Sequence, residues 1–133
     1  MKPAEHIVEA LLGDPDSPED LVSRQGDMIE KAQVADQLRR IGVKLEDVNG
    51  VEVYGMYVDP ETGDHYSRHD RNDPPATAWG VSVNTTNENQ WMEDWADYAT
   101  REEAVAAAHR LHVVLTMLAD GDQSIVFVDE TEI

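Results

Sequence analysis

The fold of this chain is decided by residues 100–119, which read Thr100-Arg-Glu-Glu-Ala-Val-Ala-Ala-Ala-His-Arg-Leu-His-Val-Val-Leu-Thr-Met-Leu-Ala119. This is the longest run in the chain with apolar residues at helical spacing. Thr100 and Glu103 form a capping box, in which two side chains satisfy backbone N–H groups at the start of a helix. The segment therefore predicts one long helix that begins just after Thr100.

This helix has apolar residues on two arcs when its residues are placed at 100° steps. One arc holds Ala104, Ala108, Leu111, Leu115 and Leu118, and the other holds Val113, Val114 and Met117. A helix that is apolar on both sides is covered by two elements of its own fold, or by one element and a second chain. We expect strands to cover one side and residues 1–42 to cover the other, with a homodimer as the alternative to a monomer.

Residues 1–42 predict two or three short helices. The first spans residues 3–12 and ends at Gly13. Ser17 followed by Pro18 is a helix start signal, and we expect Gly26 to interrupt the helix that follows. The third helix begins at Asp27 and ends at Gly42, a residue type that commonly terminates helices.

Beyond Gly50 the apolar spacing changes to the period of two that is typical of strands. The predicted strands are residues 51–58, 65–70, 78–86, 90–98 and 124–128. Residues 90–98 also carry aromatic residues at helical spacing, and we favour the strand. The expected fold is α+β, with an antiparallel sheet of about four or five strands packed on the long C-terminal helix. The last strand, which is strongly apolar, is expected to be central and to run parallel to a neighbour.

The chain predicts a single domain over residues 1–133, with a helical part at 1–42 and the strands, long helix and final strand at 51–133. It contains no cysteine, which excludes disulfides and thiolate chemistry. Residues 1–12 lack the pattern of a secretory signal, and no run is long enough to cross a bilayer. We therefore expect a cytoplasmic protein, or one in the host cytoplasm if it is phage-encoded, that does not bind membranes.

The strongest compositional feature is charge: 28 acidic residues against 10 basic ones give a net charge of −18. Such a charge repels nucleic acid and attracts basic partners. The same composition is also typical of a solvated housekeeping domain from a halophilic or acid-rich proteome, in which the charge serves solubility. Composition alone leaves both interpretations open.

No motif in the sequence indicates catalysis or a cofactor. Carboxylate pairs are too abundant to be diagnostic, and the glycines form no phosphate-binding loop. His65 and His69 are the candidate metal ligands, which would make the chain a small metal-binding protein. Four residues along a strand span about 13 Å, which is too far for joint coordination, so we expect no bound metal. Because no catalytic or cofactor motif is present, we also expect no cofactor and no enzyme activity.

Aromatic residues alternate with acids in the second half of the chain, which is a common composition for binding surfaces. The predicted binding residues are Glu88, Trp91, Glu93, Asp94, Trp95 and Asp97. The expected partner is a basic protein surface, such as that of a nucleic-acid-binding protein, which an acidic inhibitor would occupy. In charge and size alone the chain is similar to the antirestriction and anti-CRISPR proteins of phages and mobile elements. In the alternative, the tryptophans belong to the core and the acids are simply solvated.

Overall fold

The computed structural model describes residues 18–88 and 92–132, and the side chains among them from residue 25 onward. The helix predicted at residues 3–12 lies outside this part of the chain. The described elements, in order, are helix α1 (Pro18–Arg40), a short 3-10 helix (Leu45–Asp47), strands β1 (Val48–Val58), β2 (His65–Ser67), β3 (Ala78–Thr85) and β4 (Met92–Tyr98), helix α2 (Arg101–Ala119) and strand β5 (Val126–Glu130).

The five strands form one sheet with β1 at its centre, which confirms the predicted α+β fold. β3 pairs antiparallel with one edge of β1, and β4 follows outside β3. The other edge of β1 is shared by two short strands: β5 runs parallel along Gly50–Tyr54, and β2 runs antiparallel along Met56–Val58. The parallel orientation of β5 is as predicted, but its central position is wrong. Within the described residues β5 pairs with β1 alone, and its Val126 is 55% exposed.

Helix α2 packs on one face of the sheet, as its sequence predicts. The Thr100 side chain accepts a hydrogen bond from the Glu103 backbone N–H, and the left-handed Asp120 ends the helix. Its buried arc meets the valines of β1 and β3 in the main core. The core cluster consists of Leu38, Val43, Val48, Val51, Val53, Val81, Val83, Ala104, Ala108, Leu111 and Leu115.

A single long helix from the N-terminal part of the chain, α1, packs against α2. The prediction of two short helices separated at Gly26 is therefore wrong. Helix α1 continues through Gly26 for 23 residues. A glycine within a helix costs only about 1 kcal/mol, which tertiary contacts outweigh. These contacts include the burial of Leu38 and the hydrogen bonds of Arg110 on α2 to Asp27 and Glu30, at 2.6 to 2.8 Å.

The cover of the second apolar arc of α2 is incomplete within the described residues. Val114 is 1% exposed, whereas Val113 one position earlier is 44% exposed. Neither described helix combines the length and the apolar content needed to cross a membrane.

Candidate functional site

The face of the sheet opposite α2, which we call the outer face, carries the polar residues of the strands. Val51 and Val53 of β1 and Val81 and Val83 of β3 point into the core, so the residues that alternate with them point outward. Both described helices contribute to the core on the inner side. The outer face includes Glu52, Tyr54, Gly80, Ser82, Asn84, Asp94, Asp97 and Glu130.

A β-bulge in β4 brings two aspartates onto this face. The pairing with β3 shifts between Val81 and Ser82, which leaves Trp95 as an extra residue between the paired Ala96 and Asp94. In a regular strand, residues three apart point to opposite faces. The extra residue changes this alternation, so Asp94 and Asp97 share the outer face while Trp95 packs against the core.

The strand register lines these residues up in two cross-strand rows. One row runs from Asp94 on β4 through Ser82 on β3 to Glu52 on β1. The next row runs from Asp97 through Gly80 and Tyr54 to Glu130 on β5. Neighbouring strands lie about 4.8 Å apart, so the rows distribute four carboxylates over roughly 14 Å.

Tyr54 crosses the middle of the outer face. A Cβ atom added to Gly80 would lie 2.8 Å from two ring carbons of Tyr54, which shows that the ring lies directly over this glycine. The hydroxyl donates a hydrogen bond of 3.3 Å to Asp94 Oδ1. Burial and the nearby Asp94 charge raise the pKa of Tyr54 well above its ordinary value. Tyr54 is therefore a neutral hydrogen-bond donor that holds the Asp94 carboxylate in place.

Glu52 lies half-buried near the centre of the outer face. Burial, followed by the Glu130 charge, raises its pKa above the ordinary value for glutamate. A hydrogen bond from Asn84 and the nearby His69 act in the opposite direction. His69 Nδ1 also lies 3.8 Å from Glu130 Oε2. Since burial and a like charge both disfavour the ionised carboxylate, a cation near Glu52 would be favourable.

No positive charge on the strands compensates these acids. The five strands contain no lysine or arginine, whereas their acidic residues are Glu52, Glu93, Asp94, Asp97, Asp129 and Glu130. Several arginines elsewhere form ion pairs off the strands: Arg110 pairs with Asp27 and Glu30, and Arg40 pairs with Asp36. The strands therefore give the outer face negative charge without any lysine or arginine of their own, and the contact with Glu130 comes from His69 in the loop after β2.

The structure brings only part of the predicted binding set together. Asp94 and Asp97 lie exposed on the outer face, and Glu93 lies opposite Val83 with inward parity. Trp95 packs against the core, and Glu88 is exposed in the turn after β3. Trp91 lies outside the described residues. Among the described members of this set, Glu88, Asp94 and Asp97 are exposed and therefore available to a partner.

The four described histidines fall into two pairs with different surroundings, one pair near β2 and the other on α2. His65 and His69 are exposed, and the described residues contain no group of three or more histidine, aspartate or glutamate side chains placed to hold a metal ion. On α2, His112 Nε2 lies 2.6 Å from the Ile125 carbonyl oxygen, and His109 stacks on Phe127 with ring centroids 4.1 Å apart. His109 and His112 therefore connect α2 to β5 and to Ile125 just before it.

Two open clefts lie at the opposite side of the molecule, between α1, the 3-10 helix and the end of α2. Their volumes are about 560 and 280 Å³. They share Lys44, Leu45 and Leu118, and Gln123 in the larger one donates hydrogen bonds to two backbone carbonyls beside the 3-10 helix. Among the described residues that line them, no nucleophile lies beside a base.

Sequence reasoning missed Glu52, Tyr54, Ser82, Asn84 and Glu130. The available signal was the alternation itself, because Glu52 lies between two valines and Ser82 also lies between two valines. Alternation identifies a polar face within one strand, but the juxtaposition of Glu52, Ser82 and Asp94 depends on register between distant segments.

Comparison of this chain with protein-family models, with curated proteins and with solved structures finds no match.

Proposed function

We propose that this chain is a non-enzymatic acidic protein that binds a basic surface of another protein through its outer face. The observation that carries the proposal is the acidic character of the sheet: five strands without a lysine or arginine, and four carboxylates on one face. Such a field attracts cationic surfaces and repels nucleic acid and anionic lipid. Charge complementarity of this kind raises association rates and determines partner choice.

The partner is proposed to be a nucleic-acid-binding protein, because these proteins present grooves lined by lysine and arginine. The chain would then act as an inhibitor that occupies the groove, as phage-encoded anti-defence proteins such as anti-CRISPR proteins do. The outer face spreads four charges over roughly 14 Å, whereas a DNA duplex carries one charge per about 1.7 Å of its axis. The proposed mimicry therefore concerns the sign and extent of the charge rather than the phosphate repeat.

A displacement assay tests this proposal. Basic DNA-binding domains are loaded with a short fluorescent DNA duplex, and the chain is added while fluorescence anisotropy is recorded. We expect the chain to release the duplex from at least one such domain, with an affinity that falls as salt increases, because charge pairs dominate the contact. Failure to displace DNA from any of these domains at low salt would contradict the proposal.

The matched variants separate the outer face from general acidity. Asp94→Asn with Asp97→Asn removes two outer-face charges and retains an acceptor for Tyr54. The control is Asp120→Asn with Asp122→Asn, two exposed aspartates in the turn after α2. We expect the first pair to weaken displacement and the second to leave it nearly unchanged. Equal effects of the two pairs would instead support the alternative, in which the acidity is a coat that serves solubility.

A further inference from the structure

Ser82 has a buried hydroxyl group that no described residue of the chain hydrogen-bonds. The residue is 0% exposed, and its Oγ atom makes no hydrogen bond within the described part of the chain. Its neighbours Val81 and Val83 belong to the core, so its side chain points to the outer face. There it lies in register between Glu52 and Asp94. Buried hydroxyls nearly always have a partner, so this position calls for one that the described residues do not supply.

Asn84, two residues further along the same face of β3, has a second unmet group. Its side chain forms a hydrogen bond with the Glu52 carboxylate, for which the amide N–H must be the donor. The remaining oxygen, Asn84 Oδ1, is buried and has no partner in the described residues. Two neighbouring oxygens, Ser82 Oγ and Asn84 Oδ1, can therefore accept hydrogen bonds beside two carboxylates.

A ligand that donates hydrogen bonds and carries positive charge would suit this set of groups. Glu52 and Asp94 flank the two oxygens, and the strands that carry these residues, β1, β3 and β4, contain no lysine or arginine. A metal ion is a poor fit to these residues, because nowhere in the described chain do three histidine or carboxylate side chains converge. A guanidinium group is a good fit, since it is planar and presents five N–H donors to acceptors on different strands.

The apolar surroundings also suit an arginine side chain. Val126 of β5 is 55% exposed and lies against Gly50, at 3.1 Å from the position of a Cβ atom there. Gly50 pairs with Asn84, so this exposed valine is next to the polar oxygens on the same face. The methylene stem of an arginine can cover such a valine while its head reaches the oxygens.

We infer that the outer face has a specific site, formed by Ser82, Asn84, Glu52 and Asp94, that receives the guanidinium group of an arginine from the partner. The inference rests on the proposed function and adds a chemical preference to it: arginine over lysine. Both oxygens are shielded from solvent in this structure, so entry requires the half-buried side chains of Glu52 and Asn84 to turn aside. The ring of Tyr54 covers the other side over Gly80.

Isothermal titration calorimetry with two peptides of equal charge tests the preference. The probes are an arginine hexapeptide and a lysine hexapeptide, both acetylated and amidated. We expect the wild-type protein to bind the arginine peptide about tenfold more tightly, the effect of one hydrogen bond to a charged group. Ser82→Ala should reduce this ratio, whereas the exposed control Ser124→Ala should retain it. Amide shifts of Ser82, Asn84 and Glu52 in NMR spectra should accompany arginine-peptide binding.

The outcomes distinguish the inference from the proposed function. If both peptides bind with equal affinity and Ser82→Ala changes nothing, the arginine site is overturned while the acidic binding face remains. If neither peptide binds at low salt, both are overturned. Because Ser82→Ala removes an unpaired buried group, we expect the variant to fold at least as well as the wild type, which urea denaturation checks.

Discussion

The ring of Tyr54 occupies the space in which a side chain at position 80 would lie, so glycine fits there without a clash. A Cβ atom there would lie 2.8 Å from Tyr54 Cε2 and Cζ and 2.9 Å from its hydroxyl oxygen. Tyr54 is 3% exposed and hydrogen-bonded to Asp94, so its ring has little freedom to move away. We expect Gly80→Ala to lower the free energy of unfolding by about 1–3 kcal/mol, the usual cost of overpacking. An unchanged urea midpoint for Gly80→Ala would show that the ring is not held where the structure places it.

The ionised Glu52 carboxylate is expected to destabilise the fold. Its pKa is raised by burial and by Glu130, so the folded state holds the Glu52 proton more tightly than the unfolded state does. Stability is therefore lost as the pH rises from the ordinary glutamate pKa through the raised value. We expect Glu52→Gln, which retains an acceptor for Asn84, to unfold at a higher urea concentration than the wild type at neutral pH.

The comparison of Glu52→Gln with the wild type can be controlled by pH, because protonation of Glu52 removes the charge difference between the two proteins. Below about pH 4 glutamate is largely protonated in both states, and the two proteins should then have nearly the same urea midpoint. A difference that stays constant between low and neutral pH would show that the substitution acts through packing instead of charge.

At the scale of elements, helix α1 shows where local propensity is overruled. Gly26 lies within the helix, and among the described residues a Cβ atom at this position would meet nothing within 4 Å beyond the helix's own backbone and its chain neighbours. We expect Gly26→Ala to raise the free energy of unfolding by about 0.5–1 kcal/mol, because alanine loses less backbone freedom in a helix. Equal or lower stability, measured by urea denaturation, would indicate that the helix is broken near Gly26, as the sequence alone suggests.

The sequence predicts that an element exists more readily than it predicts which other elements pair or pack with it. The N-cap at Thr100 and the alternation from Val51 onward depend only on nearby residues, and the structure shows both. The position of β5 at an edge depends on which strand reaches β1, and a short apolar run does not encode that choice. The bulge at Trp95 is a similar case, because it depends on the pairing of β4 with β3.

The candidate site was less predictable for the same physical reason. Asp94 and Asp97 were identified from composition, but regular alternation would place them on opposite faces of β4. Only the bulge joins them to Glu52 and Ser82 on the outer face. The unmet oxygens of Ser82 and Asn84 are a property of packing, since a serine and an asparagine in a strand usually find partners or water.

For the molecule as a whole, the question is whether the net charge of −18 is an even coat or is concentrated where no cation balances it. Raising the NaCl concentration from about 0.01 M to about 1 M shortens the Debye length from about 30 Å to about 3 Å. Because like charges repel one another in the compact state, we expect the thermal unfolding midpoint of the wild type to rise over this range.

The two aspartate pairs show how much of this salt response comes from the outer face. Asp94→Asn with Asp97→Asn and Asp120→Asn with Asp122→Asn change the net charge equally. The first pair lies on the sheet face that holds Glu52 and Glu130, and no strand carries a lysine or arginine, whereas Asp122 lines a cleft with Lys44. We therefore expect the first pair to flatten the dependence of the midpoint on salt more than the second. Equal slopes would mean that the charge is spread evenly, and adaptation to a salty or acid-rich cytoplasm would then explain the composition better than a binding face.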